Sequence, residues 1–68
     1  MTNGDGGEMR RLLERILDYE LKAAEMYDGI LEKLGEGRLR RKIEGIRDSE
    51  LRHAEMARRE LRRFQEER

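Results

Sequence analysis

From residue 8 to residue 65 the chain has no proline, and its glycines come close together only at Gly35-Glu36-Gly37. Proline stops a helix outright, because it lacks an N–H and its ring clashes with the preceding turn. Gly29 and Gly45 each cost a helix about 1 kcal/mol without breaking it. The spacing therefore predicts an all-α chain with helices over about residues 8–34 and 38–65 and a connection at 35–37. Glycines at such a junction suit the end of one helix and the bend into the next. Two long helices joined this tightly run antiparallel, as a hairpin over residues 8–68. Residues 1–7 contain no apolar segment, so they do not read as a signal peptide, and a flexible leader is expected there.

The helical wheel turns about 100° per residue. With Glu20 at zero, Met9, Leu13, Ile16, Ala24, Tyr27, Leu31 and Leu34 fall within roughly 40° of it. With Glu50 at zero, Leu39, Ile43, Ile46, Ala54, Ala57, Leu61 and Phe64 do the same, and His53 lies about 60° to one side. Each apolar stripe thus carries a carboxylate on its centre line. Glu20 precedes Glu36 by 16 residues and Glu50 follows it by 14. At 1.5 Å per residue these are roughly 24 and 21 Å from the bend, so the two carboxylates are expected at one height. Ala23, Ala24, Ala54 and Ala57 surround that height and leave room for ions.

A chain of 68 residues rarely stabilises a core alone, and each stripe is wider than one helix–helix seam. The expectation is a homodimer at minimum, forming a four-helix bundle from two hairpins, with rings of several pairs such as a decamer compatible. Sixteen basic and sixteen acidic side chains balance, which argues against electrostatic binding to nucleic acid or membrane. Residues 1–34 carry a net −3 and residues 35–68 a net +3, which suits one half packing on the other. No apolar run approaches the roughly 20 residues that span a bilayer. The absence of cysteine excludes disulfides and thiolate metal sites and fits a cytoplasmic protein. Opposite charges four apart predict surface pairs Asp18–Lys22, Glu36–Arg40, Asp48–Arg52 and Glu55–Arg59. The cluster Arg38, Arg40, Arg41 and Lys42 reads as a solvated face or a pairing surface for the acidic half.

Burying a carboxylate is costly unless a cation or hydrogen bonds compensate it. Glu50 and His53 are three apart, so both can reach one ion. A two-fold axis would bring together two Glu20, two Glu50 and two His53. Two divalent cations would neutralise the four carboxylates, and oxygen with imidazole suits Fe(II), Mn(II) or Zn(II). The bland alternatives are a core histidine satisfied by a neighbour and a Glu20 paired with an arginine. Tyr27 stands two turns from Glu20 on the same face. It reads either as a hydrogen-bond or electron donor to the site or as a core tyrosine. Met9, Met26 and Met56 read as adaptable packing rather than haem ligands.

These residues resemble the ferritin-like superfamily, in which one Glu from each of two helices joins Glu-x-x-His from each of the other two. The stretches Glu20 to Asp28 and Arg47 to Met56, 30 residues apart at Glu20 and Glu50, are similar to the encapsulated ferritins, two-helix half-ferritins that share an iron site between subunits. They also resemble a half-rubrerythrin. The resemblance implies a ferroxidase that oxidises Fe(II) with dioxygen for iron storage or detoxification, with two iron ions per dimer. Glu20, Glu50 and His53 would be the metal ligands and Tyr27 an outer-sphere residue. It also implies an encapsulin shell as partner and compartment, although Phe64 to Arg68 does not resemble an apolar targeting tail. Met26 stands where that family tends to have tryptophan, and Tyr19 and Lys22 where it has acidic residues. The alternatives are a rubrerythrin-like peroxide reductase and a non-catalytic metal-binding helical assembly module.

Overall fold

A computed structural model describes residues 2–66, with side chains described for residues 6–64. Helix α1 spans Thr2–Lys33 and helix α2 spans Arg38–Glu66. They pack along their length as an antiparallel hairpin measuring 52 × 14 × 13 Å. The all-α class follows, with no strand among the described residues. Most of the segment expected as a leader is helical, from Thr2 onward, while Met1 lies outside the described residues. Glycine weakens a helix without barring it, and no proline intervenes there.

The connection is built from three local features. Gly37 has φ 146°, a conformation that side-chain-bearing residues rarely adopt. Its carbonyl accepts from Arg41 N at 3.2 Å and so starts α2. Arg40 reaches back from α2, and its Nη1 donates to the carbonyls of Leu31 and Leu34 at 2.9 Å each. The last carbonyls of a helix have no partner within it. A guanidinium from the next helix therefore caps α1 and pins the bend.

The buried seam follows a strict alternation of three and four residues. On α1 it runs through Leu13, Leu17, Glu20, Ala24, Tyr27, Leu31 and Leu34, and on α2 through Arg40, Ile43, Arg47, Glu50, Ala54, Ala57, Leu61 and Phe64. This is the spacing of a two-helix seam. Among the described residues, only Ala24, Leu31, Ala54 and Ala57 are buried. The small side chains let the helices approach closely at mid-height, but three alanines make a thin core.

Several residues assigned to the stripe by the wheel lie elsewhere. Met9, Ile16, Leu39 and Ile46 are exposed, and so are Leu12, Tyr19, Met26, Ile30 and Met56. On α1 they form a second stripe, Met9, Leu12, Ile16, Tyr19, Ala23, Met26 and Ile30, again spaced by threes and fours. It lies about 80° around the helix from the first. A single partner helix covers one seam, so the second stripe stays open. On α2 the matching positions are Leu39, Lys42, Ile46, Ser49, His53, Met56 and Glu60. Both open stripes lie on the same broad face, where Ile16, Tyr19 and Ala23 of α1 line one groove with Glu50 and His53 of α2.

The opposite face is polar near the bend. Arg47 Nη1 donates to Asp28 at 2.7 Å across the helices, and its Nε donates to Asp48 at 3.0 Å. Those two hydrogen bonds, the Asp28 one first, raise the Arg47 pKa further. Arg40 also pairs with Glu44 at 3.2 Å. Of the four expected surface pairs, Asp18–Lys22 is formed at 3.3 Å. The others are replaced: Arg40 turns to the α1 carbonyls and Glu44, Asp48 meets Arg47, Arg52 donates to Ser49, and Glu55 meets Arg58. Sequence spacing could not include the carbonyls of α1 that draw Arg40 away, nor the Asp28 carboxylate that Arg47 reaches across the helices.

Gly29 and Gly45 are exposed, and a Cβ at either would meet nothing within 4 Å, so neither serves a close approach within the hairpin. No described helix is long and apolar enough to cross a membrane.

Candidate metal centre

Glu20, Glu50 and His53 converge. One carboxylate oxygen from each glutamate and one imidazole nitrogen lie within 4.8 Å of one another. His53 Nδ1 stands 3.6 Å from Glu20 Oε2. The convergence has a simple origin. Glu20 and Glu50 occupy seam positions on facing helices, and His53 lies one turn past Glu50 on the side of the open stripe. The alanines of the seam bring the two helix surfaces close enough for side chains of this length to meet.

The three groups sit at the boundary between the seam and the open face. Glu20 has a side-chain exposure of 20%, whereas that of His53 is 57%. Among the described residues no arginine or lysine pairs with Glu20 or Glu50. Glu20 therefore has the imidazole as its near neighbour, and the arginine partner considered as an alternative is absent from the described contacts.

The donor set suits a hard or borderline divalent cation. Carboxylate oxygens and imidazole nitrogens bind such ions at about 2.0–2.2 Å, so donors on one ion stand at most about 4.0–4.4 Å apart. A separation within 4.8 Å is within a small side-chain adjustment of that requirement. Three protein donors also leave positions open for a second set of ligands.

The two tyrosines are placed differently. Tyr27 is half-buried in the seam two turns nearer the bend, it does not line the groove at Glu20, and no hydrogen bond to it is present among the described residues. Tyr19, 76% exposed, lines that groove with Glu20, Glu50 and His53. Its position in the second three-four stripe is the sequence signal that would have pointed to it. A neighbouring groove continues along Leu13, Ile16, Met56 and Ala57 to Glu60.

Comparison with known proteins returns no match to a protein-family model, a curated protein or a solved structure. The fold class and the carboxylate–imidazole triad rest on the chain's own geometry.

Proposed function

We propose that this hairpin is half of a ferritin-like four-helix bundle and that two copies share a dinuclear site with ferroxidase activity. The convergence of Glu20, Glu50 and His53 within 4.8 Å carries the reading. Two further observations support it.

The first is the open face. The chain exposes 5740 Å², whereas a compact monomer of 8.2 kDa exposes about 4,500 Å². The excess of roughly 1,200 Å² exceeds the ~800 Å² that one partner buries in a standard interface. The second is composition. The face carrying the triad is apolar above and below it, with Met9, Leu12, Ile16 and Met56 on one side and Met26, Ile30, Leu39 and Ile46 on the other. A second copy seated there would bring four carboxylates and two imidazoles together in surroundings poor in water. Two divalent cations would balance their charge, whereas four enclosed bare anions would be strongly unfavourable.

The iron is substrate: two Fe(II) give one electron each to dioxygen, and with two protons the products are two Fe(III) and hydrogen peroxide. The chain's residues contribute charge and position. Glu20 and Glu50 supply negative charge that favours the ferric product over the ferrous reactant, and His53 holds the ion from the groove side. Open ligand positions allow the product to leave.

Aerobic addition of Fe(II) tests this directly. The wild-type chain is expected to oxidise two Fe(II) per pair much faster than buffer does, with dioxygen preferred over hydrogen peroxide as oxidant. Glu50→Ala and His53→Ala are expected to lose the rapid phase while keeping their helical circular dichroism. Unchanged oxidation in both variants refutes the assignment. Preference for peroxide points instead to a rubrerythrin-like reductase. Metal binding without turnover points to a non-catalytic metal-binding module.

A further inference from the structure

We infer that Tyr19 is a fourth, ferric-selective ligand: its phenol shares one groove with Glu20, Glu50 and His53 and takes an open position on the ion, as phenolate, once iron is oxidised. This rests on the carboxylate–imidazole triad as a metal site, and not on the pairing of two chains.

The placement follows from the seam and the open stripe. Glu20 and Glu50, both half-buried, hold seam positions on facing helices and form the floor of the groove. His53 stands on the open-stripe side of Glu50. Tyr19 stands on the open-stripe side of Glu20, about 100° around α1 from it. The imidazole and the phenol thus belong to opposite helices, on the solvent side of the two carboxylates. Apart from the triad, the groove is lined by Ile16, Tyr19 and Ala23. Of these three, Tyr19 alone has a side-chain donor atom, and Ala23 beside it leaves space. Tyr19 is 76% exposed, and among the described residues its hydroxyl makes no hydrogen bond. No contact has to be broken for the phenol to turn to an ion.

Charge decides which ion the phenol joins. The two carboxylates of one triad balance a divalent ion and leave the site neutral. Loss of one electron leaves a net positive charge between partly buried groups, and a single added anion removes it. A phenol in water keeps its proton at neutral pH, so it is a poor ligand for Fe(II). A more highly charged ion polarises a bound group more strongly and displaces its proton. An anionic oxygen also suits a hard ion. In the step, the phenol O–H bond breaks and an oxygen–iron bond forms. The proton passes to water in the open groove, and the iron stays ferric. A ligand that joins only after oxidation favours the product. It also draws the ferric ion to the solvent side of the groove, where it leaves.

Ga(III), supplied from a weak chelate, tests the ligand without redox chemistry, because it carries the charge of Fe(III) and is not reduced. Ultraviolet difference spectra are expected to show one phenolate per chain with Ga(III) and none with Zn(II). The chain has two tyrosines, so the signal can be assigned by substitution. It is expected to persist in Tyr27→Phe and to vanish in Tyr19→Phe and in Glu50→Ala. Tyr19→Phe keeps the ring and is expected to weaken Ga(III) binding at least about tenfold, with Zn(II) binding unchanged. Aerobic Fe(II) addition to wild type is expected to leave a visible phenolate-to-iron charge-transfer band that Tyr19→Phe lacks. No phenolate signal with Ga(III), its loss in Tyr27→Phe instead, or an equal signal with Zn(II) overturns the assignment. A tyrosine that only packs against another chain gives the first of these. Rapid Fe(II) oxidation without the band overturns the ligand and leaves the ferroxidase reading standing. The Ga(III) signal without Fe(II) oxidation does the reverse.

Discussion

Replacing Glu50 with glutamine should affect the metal-free and metal-bound proteins in opposite directions. Glutamine keeps the shape of the side chain and removes its charge. Oxygens of Glu20 and Glu50 lie within 4.8 Å of each other. Two unit charges at that separation repel by about 0.9 kcal/mol with water-like screening and about 3.5 kcal/mol at an effective dielectric of 20. The groove is open to solvent on the single hairpin, so the lower figure applies there, and enclosure by a second copy moves it upward. Metal-free Glu50→Gln should therefore be more stable than wild type by about 1 kcal/mol, or about 4–8 °C in melting temperature for a chain of this size. With Mn(II) or Zn(II) at about a hundred times its dissociation constant, wild type should gain about 2.7 kcal/mol. The variant, with one donor weakened at each ion, should gain little. The assay is thermal melting by circular dichroism, with chelator and with metal. A metal-free variant less stable than wild type, or one that metal stabilises equally, would refute the picture of repelling carboxylates held for a cation.

Arg40→Met should lower stability by about 1–2 kcal/mol in chemical denaturation, because the Leu31 and Leu34 carbonyls each lose a charged donor at 2.9 Å. Gly37→Ala should cost about 1–3 kcal/mol through its φ of 146° alone, since a Cβ there meets nothing within 4 Å. Gly29→Ala, in an exposed helix interior with open space around it, should gain about 1 kcal/mol in the same measurement.

The two helices and their junction were legible because the signals are local. A chain without proline, interrupted by glycines at positions 35 and 37, had little choice, and α2 begins where the glycines end. The triad was legible as well. A Glu at a seam position and a Glu-x-x-His at matching distance from the bend meet whenever the hairpin closes in register. Tyr27 shows the limit of that reasoning. Spacing put it on the seam two turns from Glu20 and left open a site role or a core role. It is half-buried in the seam, and a wheel read as one stripe gave no sign that Tyr19 would line the groove. The arginines show another limit. Arg40 was assigned to a local pair and a surface cluster and Arg47 to no partner, but each finds acceptors on the opposite helix.

Local chemistry thus determined the helices, the bend and the residues that meet across it, since each depends on backbone geometry and on distance counted along the chain. Only the tertiary structure decided which part of the apolar surface is covered. The wheel merged two stripes about 80° apart into one. Packing separated them, because a helix with one neighbour buries one seam. The uncovered stripe is the surface that the proposed second copy would cover.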